Sequence, residues 1–275
     1  MPVHPQDHVE IQPNRMRARA EFVALLEPLD QDVPLDRAMA WMTAEERGLE
    51  TIDPLLKGLE GLAQGLHIPE ECSLFEAVAR INHHLFDVHG FSGNQEAFTD
   101  PNNSLLDSVL ADRKGLPILL SCLYIETARR VGQDIRGIGF PTHFLVSPFA
   151  ATPRFFIDPF HKGRIIRFDQ MEPWFNRISE QENGRLPPFS WWLKPVTTRQ
   201  ILVRMNNNLK ASYLQRNNLD GALRCVERLC ILAPDALEIR RDRGLLRLEV
   251  GQEEEGAKDL DAYLAARSLE APISD

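Results

Sequence analysis

No stretch of this sequence approaches the roughly 18 consecutive apolar residues a membrane-spanning helix needs. The opening MPVHPQDHVEIQPNRMRARA has no apolar core of the kind a signal peptide carries. Basic residues are in deficit, 31 Lys and Arg against 40 Asp and Glu, for a net charge of −9. That balance argues against a general nucleic-acid binder, which needs a clustered basic surface. Cysteine is scarce: Cys72, Cys122, Cys225 and Cys230 form no CxxC pair and no zinc-finger spacing. The expectation is reduced, unpaired thiols in the cytoplasm, with no cofactor and no metal. The phosphate-binding loop, the dinucleotide glycine fingerprint and the GxSxG elbow are all missing.

What is present is helical periodicity, interrupted once. The first dozen residues are polar and Pro-rich and are expected to be poorly ordered. From Arg17 to about Gly65, Phe22, Leu25 and Leu26 fit one helix face, and Leu55, Leu56, Leu59 and Leu62 another. Asp36 is a candidate cap for a short helix, and Thr43 with Glu46 has the form of a capping box. Ser73 precedes a helix over Leu74 to Val88 that Gly90 closes, and Ser104 is a candidate cap for the next. Leu116 to Val131 is the strongest helix signal. Pro117 sits in its first turn, Leu119, Leu120, Leu123, Ala128 and Val131 give it an apolar face, and Gly132 follows Arg129 and Arg130.

The interruption reads as strands: Ile135 to Val146, Arg154 to Asp158 joined to it by a hairpin through Pro148 to Pro153, and Arg164 to Phe168. Helical periodicity resumes after PPFSWWLKP (Pro187 to Pro195). Tyr213, Ala222 and Pro234, then Gly244, Gly256, Ala257 and Pro272, suggest two helical hairpins of the tetratricopeptide kind. Trp191 and Trp192 read as interdomain packing rather than a ligand platform.

The chemistry concentrates between Gly115 and Asp158. A thiol hydrolase or acyl-transferase needs a cysteine ionised at a helix start, a histidine to shuttle its proton and an Asp or Asn to orient that histidine. His143 and Asp158 supply the last two. Gly115, Leu116, Pro117 and Ile118 open the helix without a thiol. Cys122 lies more than a turn further in, at about 1.5 Å of rise per residue, between Leu120 and Leu123, and reads as a core thiol. Ser121 offers a hydroxyl but shares that displacement.

The stretches NNSLLDSVLADRKGLPILLSCLYIETARRVG (Asn102 to Gly132), GFPTHFLV (Gly139 to Val146) and FFIDPFHKG (Phe155 to Gly163), with EIRRDRGLL (Glu238 to Leu246), resemble transglutaminase-like proteins of the SirB-one type. The resemblance implies an α+β fold, predominantly helical. It has an N-terminal helical region over 1–100, a transglutaminase-like (papain-like) core over 101–190 and a tetratricopeptide-like tail over 191–275. It also implies that Gly-Leu-Pro at the helix start is a family trait. His143 and Asp158 are then the catalytic pair, relic or active. Gly115, Leu116, Pro117, Ser121, Cys122 and His161 are the candidate pocket, with His161 also readable as an exposed turn residue.

Two functions follow. One is a non-catalytic, regulatory protein-interaction module that takes a protein or peptide partner through the tail. The other is a hydrolase or acyl-transferase on an amide or ester bond, with His143 as base and Asp158 as its orienter. Arg240, Arg241 and Arg243 are the candidate partner-binding residues; an internal ion-pair network is the equal alternative. The HHLFDVH run (His83 to His89) has His83 and Asp87 four residues apart, as a metal pair would, but no second ligand group, and reads as structural.

Overall fold

The computed structural model describes residues 5–27, 33–149 and 155–270. The chain divides into two compact units, one of residues 1–98 and 102–201, the other of 99–101 and 202–275. Among the described residues no helix is long and apolar enough to cross a membrane.

The first unit opens with α1 (Pro5–Leu25), α2 (Leu35–Arg47) and α3 (Asp53–Ala63). The polar opening is therefore helical from Pro5, and α1 continues through Pro13 rather than starting near Arg17. Phe22 and Leu26 are buried, as are Leu55, Leu59 and Leu62 of α3. Two expected caps lie inside α2. Pro34 precedes that helix, so Asp36 falls in its first turn. There Asp36 Oδ2 accepts from Arg129 at 3.1 Å and Arg130 at 2.9 Å. Thr43 and Glu46 are interior and buried, not a capping box.

The Thr43 hydroxyl does cap a helix, but a different one: it accepts from Leu106 N at 3.0 Å. That bond satisfies an otherwise orphaned donor at the start of α5 (Leu106–Asp112). Ser104, expected in that role, belongs to the preceding 3₁₀ turn and its hydroxyl is buried. The Ser73 cap is as expected. Its hydroxyl accepts from Glu76 N, and the Glu76 carboxylate accepts from Ser73 N at 2.9 Å, closing a capping box on α4 (Leu74–Asn82). The helix then widens into a π-helical turn, His83–Val88, and Gly90 ends it with φ +73°.

Helix α6 (Pro117–Arg130) is the buried axis of this unit, with Pro117 in its first turn and Gly132 beyond its end at φ +76°. Leu119 and Leu123 are 0% and 1% exposed. Burial of such side chains contributes roughly 1.5–3 kcal/mol each.

Beside α6 stands a four-stranded antiparallel meander of β3 (Ile135–Ile138), β4 (Leu145–Pro148), β5 (Phe155–Asp158) and β6 (Arg164–Arg167). β1 (Ser92–Gly93) and β2 (Lys114–Gly115) form a separate short parallel pair. The segment read as one strand from Ile135 to Val146 is two. Ile138 pairs with Leu145 across a tight reversal. The expected link from Pro148 to Pro153 falls largely outside the described residues. A cluster of Ile138, Phe140, Leu145, Phe156, Ile166, Met171, Phe175 and Ile178 packs α7 (Phe168–Gln181) onto the sheet. Trp192 packs against this cluster and donates to Pro187 O at 3.1 Å, while Trp191 is exposed.

The second unit holds α8 (Thr198–Gln215, which begins in the first unit), α9 (Leu219–Leu232), α10 (Leu237–Glu249) and α11 (Glu253–Glu270). Small residues set its hairpins. A Cβ on Gly221 would stand 2.8 Å from the Tyr213 ring. A Cβ on Gly244 would stand 3.0 Å from Gly256 O, and one on Gly256 3.0 Å from Gly244 O, so the two helices meet backbone to backbone. Arg228 is wholly buried and donates to Asn206 Oδ1 at 2.7 Å. Pro272 lies outside the described residues.

Candidate functional site

Asp158 ends β5 and caps the single 3₁₀ turn Pro159–His161. Its carboxylate is fully buried and gathers four donors. Oδ1 accepts from His143 Nε2 at 2.9 Å and from His161 N at 3.3 Å. Oδ2 accepts from His161 Nδ1 at 2.7 Å and Arg164 Nη2 at 3.2 Å. Burial alone would raise the Asp158 pKa. The hydrogen bond and charge of His143, then those of His161, outweigh it and hold the carboxyl down at about 2. An ionised carboxylate only accepts, so His143 presents Nε2–H and His161 presents Nδ1–H to it.

His143 sits not within a strand but in the reversal before β4, one residue after Thr142 at φ +58°. Its side chain is 12% exposed and aromatic rings surround it. Trp174 stands 5.6 Å away between centroids and Phe160 6.0 Å, the latter edge-on. His161 lies 5.9 Å off in a nearly parallel plane. His161 is an exposed residue of the 3₁₀ turn and at the same time, at 39% side-chain exposure, the accessible half of a two-imidazole cluster on one carboxylate. Arg164 and Trp174 joined the site unannounced. The hairpin register that sets Asp158 opposite Arg164 brings the first in.

Two close approaches fix the cluster. A Cβ on Gly93 would lie 2.4 Å from the Phe160 ring, so only glycine lets β1 lie against the turn that carries His161. Gly163 has φ +72° and its carbonyl accepts from Asn82 Nδ2 at 2.9 Å, tying the end of α4 to the same turn.

The start of α6 is Leu116 and Pro117, both buried. Leu116 N donates to Asn103 O at 3.1 Å, and Asn103 Oδ1 accepts from Asn94 at 2.9 Å. This amide pair, which sequence reasoning did not single out, stitches the Gly90 to Asn103 loop to the helix start. Gly115 pairs with Gly93. Ser121 is wholly buried, its hydroxyl 3.4 Å from Phe144 O. Cys122 is wholly buried, and burial first, then the Glu126 charge, raises its thiol pKa far above the ordinary range.

The remaining candidates are drawn into internal contacts. His83 meets Asp87 at 3.0 Å on an exposed face, and His84 Nε2 lies 2.8 Å from Leu62 O and 3.2 Å from His89 Nε2. In the second unit Arg243 pairs bidentately with Asp259 at 2.6 and 2.7 Å. Arg241 donates to Asp242 at 2.7 Å and lies 5.8 Å from the Tyr263 ring. Arg240 is partly exposed.

Residues 49–207, more than half the chain, match the profile of the transglutaminase-like superfamily. The chain belongs to that superfamily. Residues 209–275 match the tetratricopeptide repeat. A UPF0162 protein of Xylella fastidiosa (strain 9a5c) is 37% identical over 199 residues, 71% of this chain and 70% of its own length. A UPF0162 protein of Vibrio cholerae is 31% identical over 182 residues, 66% of this chain and 65% of its own. The mouse F-box only protein 21 is 34% identical over 100 residues, 34% of this chain and 16% of its own. No solved structure matches.

Proposed function

We propose that this transglutaminase-like protein, of the SirB-one type, is a non-catalytic, regulatory protein-interaction module of the cytoplasm. The observation that carries the reading is the start of α6. Thiol chemistry needs an exposed, acidified cysteine there. This helix instead opens on Leu116 and Pro117, and Cys122 and Ser121 further along it are wholly buried. The family frame, with His143 held on Asp158 among the Phe160 and Trp174 rings, then serves as a binding element rather than as a proton shuttle to a nucleophile.

The tail supplies the partner surface. Tetratricopeptide repeats stack helical pairs into extended binding faces. Arg240 and Arg241 are the α10 side chains proposed for an acidic segment of a protein partner, Arg241 by exchanging its contact with the neighbouring Asp242, while Arg243 and Arg247 are held by Asp259. The four unpaired cysteines fit a reducing compartment.

The His143 to Asp158 contact favours a second reading, hydrolysis of an amide or ester bond with His143 as base. One comparison separates the two. The full-length chain carrying Arg240→Glu and Arg241→Glu, and one carrying His143→Ala, are used to capture cross-linked partners beside the wild type. The interaction reading predicts that the charge reversal abolishes capture of a defined partner. Unchanged capture, together with ester or amide turnover that His143→Ala removes, overturns it.

A further inference from the structure

We propose that His143, Asp158 and His161 form a binding site for a divalent transition metal of the zinc type. The proposal uses the pocket of the preceding section but does not depend on the partner-binding reading.

The donor set is two imidazoles and one carboxylate. Each of the three residues offers one ligand atom, and these atoms lie within 4.8 Å of one another. Sequence spacing concealed the group, because His143 is fifteen positions from Asp158 and on another strand connection. Among the described residues it is the one cluster of this kind.

Two of the separations are near those an ion sets, and the group as a whole, within 4.8 Å, must close further around it. Zinc holds histidine nitrogen and carboxylate oxygen at about 2.0–2.2 Å, so neighbouring ligand atoms on one ion stand roughly 3 Å apart. His143 Nε2 and His161 Nδ1 lie 2.9 and 2.7 Å from the Asp158 oxygens. An ion entering the cluster takes the place of the two N–H protons that face Asp158: an imidazolium gives its proton up to solvent, and a neutral ring carries it on its other nitrogen as the ligand binds. It also requires small rotations of the rings, since a lone pair aimed at the oxygen must turn toward the ion between them.

Charge and access fit as well. The Asp158 carboxylate, with an imidazole nitrogen on each oxygen, supplies the anionic ligand. Besides the two imidazoles, Arg164 lies on the carboxylate at 3.2 Å. Its side chain is 57% exposed, so its head group has solvent to turn into. His161, 39% exposed, provides the entrance. Nitrogen donors select zinc-like ions over calcium and magnesium, which prefer all-oxygen cages. Three protein ligands leave a further position for water or for a side chain of a bound partner.

The test is calorimetric titration of zinc ion into the metal-stripped full-length protein, with magnesium and calcium as comparison ions. The expected result is one zinc per chain, no binding of magnesium or calcium, and an affinity loss of at least about tenfold in His161→Ala and in His143→Ala. His83→Ala and His89→Ala leave the affinity unchanged. Cobalt substitution provides a second readout, a visible absorption band that His161→Asn removes while circular dichroism shows the fold intact. Absence of saturable zinc binding overturns the proposal. So does zinc binding that His143→Ala and His161→Ala leave intact, or that His89→Ala removes. None of these results bears on partner capture through Arg240 and Arg241, so failure here and failure of the interaction reading are distinguishable.

Discussion

His143 Nε2 lies 2.9 Å from Oδ1 of Asp158, a carboxylate wholly removed from solvent. This contact joins the reversal before β4 to the end of β5, and through the 3₁₀ turn it draws in His161 and Arg164 as well. A buried charge is tolerated only when its lone pairs are met, and here four donors meet them. The network is therefore structural as much as chemical, and its removal is felt in stability.

Asp158→Asn is expected to destabilise the first unit at neutral pH by about 2 kcal/mol. The sign follows from the folded pKa of about 2, below the ordinary carboxyl value. A depressed folded pKa contributes stability that is present above the unfolded value of about 3.9 and is lost as pH falls toward 2. Urea denaturation of the wild type and Asp158→Asn at pH 7 and pH 3 should show a gap that narrows at the lower pH. Equal stabilities at pH 7 would remove the carboxylate from its assigned place.

Thiol accessibility separates the cysteines. Cys72 and Cys230 are partly exposed, Cys122 and Cys225 buried. Native protein treated with an alkylating reagent and read by peptide mass spectrometry should carry label at the first two and none at Cys122 until denaturant is added. Rapid native labelling of Cys122 would mean that α6 opens to solvent.

Gly93→Ala sets a methyl group into the Phe160 ring, 2.4 Å from its nearest carbon. Overpacking of this kind costs about 1–3 kcal/mol. The displaced turn carries His161, so the imidazole resonance of that residue should shift in the NMR spectrum while those of His83 and His89 stay in place. A variant as stable as the wild type, with unmoved resonances, would count against the close approach.

Gly244→Ala probes the tail in the same way. Its new methyl meets Leu260 at 2.9 Å and Gly256 O at 3.0 Å. A better helix former at that position is therefore expected to destabilise by about 1–2 kcal/mol, the backbone contact outweighing the propensity gain. Hydrogen exchange should rise across α10 and α11 and remain unchanged across α6. Slower exchange in α10 would show that propensity wins.

How much of this was legible depends on where the information lies. Helix α6 was readable because Pro117, its apolar positions and Gly132 all agree locally. The α4 cap was readable because Ser73 and Glu76 satisfy each other within one turn. Thr43 misled for the opposite reason: its hydroxyl caps a helix 63 positions away, so a local motif pointed to the wrong helix end. The split of Ile135 to Val146 into β3 and β4 was hidden because Thr142 rather than a glycine takes the left-handed turn position. Gly137, Gly139 and Pro141 then read as interruptions of a single strand. His143 and Asp158 were found through the spacing of the family motif. Arg164 and Trp174 were not, because register and packing of α7 bring them in. His161 is the instructive case, since an Asp capping the turn three residues earlier was the signal that its ring also folds back to the carboxylate.

The central claim is that this transglutaminase-like frame carries out no thiol chemistry. The most direct measurement is ammonia release from a glutamine-containing peptide in the presence of a primary amine, for wild type, Cys122→Ala and His143→Ala at equal concentration. The account predicts no release above the protein-free rate in any of the three. Turnover by the wild type that both substitutions abolish would contradict it.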